Sequence, residues 1–578
     1  MATLDNRTLF KRIMVFVKPY GWRFRLIILW SILLSIFAAL RPYLLKQTVD
    51  EYIEPKDSYG LLLFIVSMAV LLLLEVISQF FFVYWSNWLG QDIVKDIRNK
   101  LFAHLSNFRV QYFDNTPVGQ LVTRSVFDIE SISKIFSQGL FMIISDIMKM
   151  FVTIAFMCYM NWKLTIIVLL SFPLLIYIIR IFQQKMKKAF EEVRTEVSNL
   201  NIFVQERLTG MKIIQLFTRE DVEYQNFKSI NSKHRKAWLK NILYNSIFFP
   251  VADIIASITL GTVIWYGTRD IINMGNTTIG DLITYSMLVN MLFNPIRHIA
   301  DKFNEMQMGM IASNRIFDIL DTDESQNNGS LNIHKIKGDI QFKNVHFAYK
   351  PEQPILRDIN LNIKQGQTIA IVGSTGAGKT SIINLLNRFY EIDSGEILID
   401  GTNIQEYTLD SLRKRIGVVL QDVFLFADTI YNNIALFNPN ITKEQVIEAA
   451  KQIGVHNFIT SLPEGYDYNV KERGSVLSTG QRQLIAFLRA YLNNPDILIL
   501  DEATSSIDSH SEQLIQKATN ILTQNRTSIL IAHRLATIVK ADVIVVMDKG
   551  HIVEQGTHQE LLQKTDGMYR KLYESQFS

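Results

Sequence analysis

The stretch Gly373-Ser374-Thr375-Gly376-Ala377-Gly378-Lys379-Thr380 decides the fold of the second half of this chain. It has the spacing G-x-x-x-x-G-K-T and follows an apolar run, residues 368–372, that predicts a buried parallel strand. Residues 381–386 have helical spacing, so the sequence predicts a strand, a glycine-rich loop and a helix. Glycines allow backbone N–H groups to approach a phosphate closely, and the N-terminus of the helix faces the same anion. The stretch therefore predicts a nucleoside triphosphate site rather than a chance glycine-rich turn.

Two side chains of this loop have predicted roles. Lys379 is expected to reach the β and γ phosphates, and the Thr380 hydroxyl is expected to hold Mg²⁺. The predicted triphosphate contacts share this loop and the first turn after it. They are Gly373, Ser374, Thr375, Gly376, Ala377, Gly378, Lys379, Thr380 and Ser381.

The composition is apolar for a chain long enough to form two or three domains. Of 578 residues, 48% are hydrophobic and 20% charged, and the mean hydropathy is +0.13. The net charge of +4 is small for this length and argues against a nucleic acid partner. The single cysteine, Cys158, excludes an intrachain disulfide. The first 25 residues are polar and basic, so we expect no cleaved signal peptide.

The first 300 residues contain several apolar runs that are long enough to cross a bilayer, since a span needs about 20 residues. A large buried helical core is the alternative, and the confinement of the runs to one half of the chain disfavours it. Asn290 and Asn294 make the sixth run the weakest. The six predicted spans are Leu26–Leu45, Leu61–Trp88, Leu140–Met160, Leu164–Ile181, Ile247–Tyr266 and Leu282–Ile299.

The distribution of Lys and Arg predicts a cytoplasmic N-terminus in an inner (cytoplasmic) membrane. Basic residues flank the spans at the N-terminus and in the connections 90–138 and 183–245, while the connections 46–59 and 161–163 contain only three lysines and no arginine. The two long connections are amphipathic and rich in helix formers, so we expect each to be a pair of helical extensions. The predicted turns lie at 113–119 and near Gly210 or residues 218–220. Such arms provide a means of carrying force between membrane and cytosol.

Ionisable residues within the predicted spans are candidates for substrate contact, because a charge in the bilayer is costly. They are Glu75, Asp146, Lys149 and Asp253, of which Glu75 is the strongest candidate. Asp146 and Lys149 are three residues apart on one helix, so mutual pairing is the simpler alternative for them.

The polar stretch 321–337 predicts a linker between a membrane domain, 1–320, and a second domain, 338–578. In the second domain short β-branched runs alternate with helical ones, which is typical of an α/β fold.

Polar residues follow three predicted strands of this domain. Asp501 and Glu502 end the run 497–500; Asp501 is expected to support Mg²⁺ and Glu502 to polarise the attacking water. His533 ends the run 528–532 and is placed to sense a γ-phosphate. Gln421 ends the run 416–420, where its amide oxygen is expected to ligate the metal or orient water.

Ser478 and Gln481 have the spacing of a capping box at the start of a helical run, 482–492. The free N–H groups of that N-terminus form a second candidate anion site, which includes Gly480. Either it is only a helix cap, or it closes on nucleotide held by another copy.

Together these residues resemble the half-transporters of the ATP-binding cassette (ABC) exporter family over essentially the whole chain. The resemblance implies a six-helix transmembrane domain with long cytoplasmic helical extensions, followed by an α/β P-loop nucleotide-binding domain. It identifies Gly373–Thr380 as the Walker A loop, Ile497–Asp501 as Walker B, Glu502 as the catalytic glutamate and His533 as the switch histidine. It also implies that Tyr349 stacks on adenine. The remaining matches are the Q-loop at Gln421, the signature at Leu477–Gln481, the D-loop at 505–508 and the exporter-specific loop at 470–474.

Two departures from the family pattern stand out: Thr479 replaces a signature glycine, and Ser506 and Ile507 replace commoner D-loop residues. Because a β-branched residue disfavours positive φ, we expect Thr479 to point away from phosphate and binding to survive.

The resemblance implies ATP and Mg²⁺ as ligands and a dimer, identical or mixed, in which each signature caps ATP on the partner's Walker A loop. ATP would close the cassettes and open the cavity outward, and hydrolysis would reset it. The function expected is ATP-driven export or flipping of an amphipathic compound or lipid. A cassette that gates a channel or regulates a membrane partner is the alternative. A P-loop GTPase or kinase is disfavoured because no N-K-x-D motif follows the loop.

Overall fold

The computed structural model describes residues 6–53, 58–275, 277–501, 509–531 and 535–577. The chain forms two compact units. The first comprises Met1–Ser106 and Pro117–Asp323, and the second comprises Asn107–Thr116 and Glu324–Ser578. A short segment of the first half of the sequence therefore belongs to the second unit.

Most described residues of the first half of the chain are helical. Short π-helical segments, Thr48–Ile53, Arg124–Asp128 and Ile135–Leu140, adjoin some of the α-helices. The helices are α1 (Asn6–Val15), α2 (Gly21–Gln47), α3 (Ser58–Ser106), α4 (Val110–Asn115), α5 (Val118–Thr123), α6 (Ile129–Lys134), α7 (Phe141–Met160), α8 (Trp162–Leu170), α9 (Phe172–Thr209), α10 (Met211–Leu216), α11 (Glu220–Ile272) and α12 (Ile279–Asp321).

Five helical segments of the described chain are long and apolar enough to cross a membrane, and they contain the first five predicted spans. The sixth predicted span, Leu282–Ile299, is not among those five but lies within α12, a continuous helix of 43 residues. The five are Lys18–Ile53, Tyr59–Ser106, Val118–Met160, Trp162–Thr209 and Glu220–Ile272.

The long connections are helical extensions with turns where the sequence predicts them. Helix α3 continues from its span to Ser106, and α9 continues to Thr209. The first connection turns around Pro117, which precedes α5, and the second turns at Gly210 and again before Glu220. Proline lacks a backbone N–H and restricts the residue before it, so α4 ends at Asn115, ahead of Pro117. The turn before Glu220 contains Thr218, which has a positive φ of 50°.

The proline residues of the spans differ in effect. Helices α2, α11 and α12 continue through Pro42, Pro250 and Pro295. Only before Pro173 is a helix interrupted, where α8 ends at Leu170 and α9 begins at Phe172. Proline is tolerated in the first turn of a helix because the N–H it lacks has no partner there.

The second half of the chain is an α/β unit. Its strands are β1 (Ile340–Lys350), β2 (Gln353–Ile363), β3 (Thr368–Gly373), β4 (Ser394–Ile399), β5 (Thr402–Asn403), β6 (Ile416–Val419), β7 (Ile497–Asp501), β8 (Thr527–Ile531), β9 (Val543–Asp548) and β10 (His551–Gly556). Its helices are α13 (Lys379–Leu386), α14 (Leu409–Arg415), α15 (Ile430–Ala435), α16 (Lys443–Ile453), α17 (His456–Thr460), α18 (Thr479–Leu492), α19 (Ser509–Thr523), α20 (Leu535–Ile538), α21 (His558–Gln563) and α22 (Met568–Phe577).

Two sheets organise this unit. One has the order β10-β9-β3-β8-β7-β6, in which β9, β3, β8, β7 and β6 are parallel and β10 is antiparallel. The other is antiparallel, with the order β2-β1-β4-β5. The central strands β3, β7 and β8 are almost entirely buried, as expected for a sheet covered on both faces. The carboxyl ends of the parallel strands meet at one edge, which is where α/β sheets place ligands.

Candidate nucleotide-binding site

The loop between β3 and α13 needs glycine at defined positions. Gly376 and Gly378 have φ of 83° and 101°, a region that other residues seldom adopt. A Cβ at Gly373 would lie 2.2 Å from the carbonyl oxygen of Met547 on the neighbouring strand β9. The glycines thus allow the loop to turn tightly over the end of the sheet, with its backbone accessible to a phosphate.

Lys379 is held in position by the loop that precedes it. Its ammonium donates to the carbonyl oxygens of Gly373 at 2.7 Å and Ser374 at 3.0 Å. The side chain is buried, and burial lowers the pKa of Lys379, while the charge of Asp501 opposes that shift. A buried cation at the mouth of a glycine-rich loop suits a phosphate, because the dehydrated charge interacts strongly with an anion.

Asp501 is the last residue of β7 and pairs in register with Ile531 of β8. It is buried, and burial raises its pKa, with Lys379 opposing and Asp422 adding to the rise. Gln421 is exposed and follows β6, the strand next to β7. The structure therefore places Asp501 and Gln421 at the same sheet edge as the phosphate loop.

These residues fit a magnesium ion of the kind that P-loop proteins bind. Mg²⁺ retains waters and takes one or two protein oxygens plus substrate phosphates, so it does not need a cage of carboxylates. Within the described ranges no group of three His, Cys, Asp or Glu side chains could hold a metal. Thr380, which is exposed at the start of α13, and Asp501 are the residues that would hold the ion. When bound, it would neutralise charge on the phosphates.

Three predicted functional elements lie outside the described residues. They are Glu502, the segment 505–508 and His533. Their roles stay predictions from the sequence.

Tyr349, the predicted adenine-stacking residue, lies near the end of β1 and is 37% exposed. Its ring packs edge-on against Phe347 and Tyr390, each with centroids 4.8 Å from its own. Its hydroxyl accepts from Asn384 of α13 at 3.0 Å and lies 3.2 Å from the Ser381 hydroxyl. The structure thus connects Tyr349 to the helix that follows the phosphate loop, a link that the sequence analysis did not find.

The signature segment forms the predicted capping box. The Ser478 hydroxyl accepts from the Gln481 N–H at 3.2 Å, and the Gln481 side chain accepts from the Ser478 N–H at 2.9 Å. Thr479 is the first residue of α18, and its hydroxyl accepts from Arg482 at 3.3 Å. Because a helical residue needs no positive φ, this backbone accommodates threonine in place of glycine.

The segment 470–474, which resembles the exporter-specific loop, has unusual backbone angles. Lys471 has φ 60° and ψ −175°, and Arg473 has φ 54° and ψ 22°. The Lys471 conformation is one that glycine adopts and other residues avoid.

The predicted linker is hydrogen-bonded to the second unit. Arg388, only 1% exposed, donates to the carbonyl oxygen of Asn327 at 2.8 Å. Arg413 donates to the Gln326 side chain at 2.8 Å, and the Asn328 side chain accepts from the Leu409 N–H at 2.8 Å. Sequence reasoning missed both arginines, because the local pattern around them gives no sign of these partners.

The ionisable residues of the predicted spans have different surroundings. Glu75 forms an ion pair with Arg41 of the neighbouring helix at 3.5 Å. Asp146 is buried and Asp253 is exposed. The pairing of Glu75 gives its charge a structural partner, and contact of any of these residues with substrate stays a prediction.

The fold and the site define a class of protein: a P-loop nucleotide-binding unit joined in one chain to a bundle of membrane helices. Residues 24–296 match the family described as ABC transporter transmembrane region, and residues 356–505 match the family described as ABC transporter.

Relatives extend this similarity to the whole chain. An ATP-dependent lipid A-core flippase of Syntrophus aciditrophicus is 35% identical over 98% of this chain and 94% of its own. A Staphylococcus aureus protein named for multidrug export is 37% identical over 98% of this chain and 99% of its own. A solved structure of a bacterial Atm1-family ABC exporter with ATP bound aligns with a TM-score of 0.79 at 28% identity, covering 99% of both chains.

The chain belongs to the ABC transporter family and is an exporter half-transporter. Its nucleotide-binding unit binds ATP, and its hydrolysis of ATP is coupled to transport. It is a multi-pass protein of the bacterial inner membrane with a cytoplasmic nucleotide-binding domain.

Proposed function

We propose that two copies of this chain form a homodimer that exports or flips an amphipathic compound or lipid. In this proposal ATP and Mg²⁺ bind at the Walker A loop of one copy, and the signature helix of the other copy closes over them. The domain boundaries proposed are 1–320, 321–337 and 338–578.

One observation carries the dimer proposal. Lys379 is fixed in one complete phosphate loop, while Ser478 caps a second helix N-terminus that lies elsewhere in the sequence. Each chain thus has one phosphate loop and one signature helix, and two copies arranged head to tail would form two complete nucleotide sites. Glu502 and His533 are both present in the sequence, which favours two equivalent and competent sites over a degenerate pair.

The proposed chemistry assigns a role to each residue of the site. Lys379 and the loop N–H groups bind the β and γ phosphates, and Tyr349 stacks on adenine. Glu502 polarises the attacking water, Gln421 ligates the metal or orients that water, and His533 senses the γ-phosphate. Since only a ligand with different affinity for two states can shift their balance, ATP drives the cycle by preferring the closed dimer.

The substrate class rests on the apolar character of the membrane half and on the relatives. Relatives of this chain are named for lipid A-core flipping and for multidrug export. A panel scored by stimulated ATPase activity in lipid bilayers, with fluorescent phosphatidylethanolamine and the dye Hoechst 33342 as probes, would distinguish lipid from drug. Lys379→Ala is the inactive control.

A mixed dimer tests the arrangement. Copies carrying Lys379→Ala are co-purified through a second affinity tag with copies carrying Ser478→Arg. In the proposed dimer one site contains both substitutions, while the other site has an intact Lys379 and an intact Ser478. The mixed dimer should therefore retain ATPase activity that either variant alone lacks. A mixed dimer as inactive as its parents would overturn the arrangement.

Glu502→Gln tests the assigned base, and it should abolish turnover while ATP still binds. Undiminished hydrolysis would remove Glu502 from that role. If wild-type protein in liposomes hydrolyses ATP but neither accumulates nor flips any member of the panel, the channel or regulator alternative would be favoured.

A further inference from the structure

Tyr390 contacts a part of the chain that is far away in sequence. Helix α4 belongs to the same compact unit as the nucleotide site, although its sequence lies in the first cytoplasmic connection. The Tyr390 hydroxyl donates a hydrogen bond to the Asp114 carboxylate of this helix. Burial raises the pKa of Tyr390, and the hydrogen bond to Asp114 raises it further, so the hydroxyl keeps its proton at neutral pH and acts as the donor.

The ring of the same tyrosine packs against the predicted adenine-stacking residue. The Tyr349 and Tyr390 rings are perpendicular, with centroids 4.8 Å apart, and Phe347 packs against Tyr390 at 5.8 Å. Edge-to-face pairs of this kind restrict both rings. A displacement of Tyr390 would therefore move the surface on which adenine is proposed to stack.

Tyr349 extends the connection to the phosphate side. Its hydroxyl accepts from Asn384 and lies within hydrogen-bonding distance of Ser381, and both residues are on α13. A continuous set of contacts thus runs from Asp114 through Tyr390 and Tyr349 to the helix that begins with Lys379.

A second attachment holds the α4 segment in place independently of Tyr390. The Arg109 side chain pairs with Glu324, and the Arg109 N–H donates to the Glu324 carbonyl oxygen at 3.0 Å. Removing the Tyr390 hydroxyl therefore leaves the segment bound at its start.

We propose that Tyr390 is a positioning residue that fixes Tyr349 for nucleotide binding through its hydrogen bond to Asp114 of the first cytoplasmic connection. Coupling between two sites is reciprocal, so the attachment of α4 sets the affinity for ATP and bound ATP strengthens the attachment of α4. This inference rests on the proposed adenine contact of Tyr349.

The test compares ATP affinity in single and double variants of the full chain in lipid nanodiscs. Tyr390→Phe keeps the ring and removes only the hydroxyl, and Asp114→Ala removes the acceptor. We expect each to raise KM for ATP about threefold to tenfold while kcat stays within about twofold, because a hydrogen bond to a charged acceptor is lost outside the reacting groups. The dissociation constant of the fluorescent analogue TNP-ATP, measured in EDTA so that no hydrolysis occurs, should rise by the same factor.

The double variant tests whether Tyr390 and Asp114 act through the same hydrogen bond. If the two residues act through their shared bond, Tyr390→Phe with Asp114→Ala is no worse than either single variant. Asp114→Asn, which keeps an acceptor oxygen, should have a smaller effect than Asp114→Ala. Additive effects, or an unchanged KM in both single variants, would overturn the proposal.

Matched control variants distinguish a specific change in KM for ATP from a general loss of folding. Tyr466→Phe removes another hydroxyl of the same unit, one that bonds to His456 at 2.9 Å, and Asp410→Ala removes an exposed carboxylate that pairs with Lys414. Both should leave KM unchanged. Failure of the wild-type protein to bind TNP-ATP would contradict the proposed function. Normal binding in wild type and variants alike would contradict only the role of Tyr390.

Discussion

Arg388, whose side chain is 1% exposed, donates to the carbonyl oxygen of Asn327 at 2.8 Å and so binds the linker to the nucleotide-binding unit. The same guanidinium donates to the carbonyl oxygens of Ile404 and Tyr407, each at 3.2 Å, and pairs with Glu391 at 3.0 Å. A planar group with five donors can bind several carbonyl oxygens at once, and lysine cannot reproduce that geometry.

Arg388→Lys should therefore destabilise the protein by about 2–4 kcal/mol, since it leaves buried carbonyl oxygens without donors. Thermal unfolding of the full chain in detergent measures the loss, and limited proteolysis should show faster cleavage near residue 327. Arg570→Lys, at an exposed pair with Glu574, is the control and should change stability by less than about 0.5 kcal/mol. Equal stability of the two variants would show that the linker contacts contribute nothing.

Ser478 and Thr442 allow the cap and the proposed nucleotide contact to be separated. Both residues form capping boxes in the same unit, Ser478 with Gln481 and Thr442 with Gln445. Ser478→Ala and Thr442→Ala should each cost about 1 kcal/mol of stability, because each leaves a helix N–H without its acceptor.

Only Ser478→Ala should also lower ATPase activity, by about tenfold or more, since only its helix is proposed to meet the partner's nucleotide. Steady-state ATPase rates in nanodiscs at a temperature well below unfolding provide the measurement. A similar loss of rate in both variants would mean that the signature acts through stability alone.

The phosphate loop could be predicted from the sequence because all of its determinants are local. The strand, the glycines with positive φ and the helix that begins at Lys379 are contiguous, so their pattern survives in the linear order. The capping box at Ser478 is equally local, with its partner three residues away. The turns at Pro117 and Gly210 were predictable for the same reason.

Tyr390 and Arg388 were not predictable in this way. The Asp114 partner of Tyr390 is 276 residues away, and no local pattern distinguishes such a tyrosine from an ordinary aromatic residue in a loop after a helix. The polarity of residues 326–328 led to the prediction of a linker, but polarity cannot tell solvated side chains from hydrogen-bonded ones. The tertiary partners, Arg388 and Arg413, decide that difference.

Asp501 combines a proposed metal-supporting role with an expected cost to stability. Because burial raises its pKa, ionised Asp501 destabilises the folded state at neutral pH, despite the opposing charge of Lys379. Asp501→Asn should then raise the unfolding free energy by roughly 1 kcal/mol at pH 7 in EDTA, while abolishing ATPase activity in Mg²⁺.

The gain in unfolding free energy on Asp501→Asn should depend on pH in one direction. The folded pKa of Asp501 lies above the ordinary value of 3.8, so the destabilisation is fully present above the folded pKa. As the pH falls through the folded pKa towards 3.8, the folded protein takes up the proton and the difference between Asp501 and Asn should shrink. Thermal unfolding of both proteins between neutral pH and about pH 4.5 checks this. A difference that grows on acidification would contradict the role of burial.

Lys471 occupies a backbone conformation that only glycine adopts without strain, with φ 60° and ψ −175°. Such strain costs about 1–3 kcal/mol, and glycine in its place costs about 0.5–1 kcal/mol through the entropy of the unfolded chain. Lys471→Gly should therefore stabilise the protein by about 1 kcal/mol and raise the Tm of the nucleotide-binding unit by about 2–4 °C.

Lys335→Gly is the matched control, because Lys335 is also exposed and lies outside helices and strands but has no positive φ. It should lower the Tm, since the entropic cost of glycine is not offset by relief of strain. Differential scanning fluorimetry of wild type and both variants in the same detergent gives the comparison. If Lys471→Gly lowers the Tm as much as Lys335→Gly, the conformation at Lys471 is not strained, and the segment 470–474 tolerates lysine at no cost.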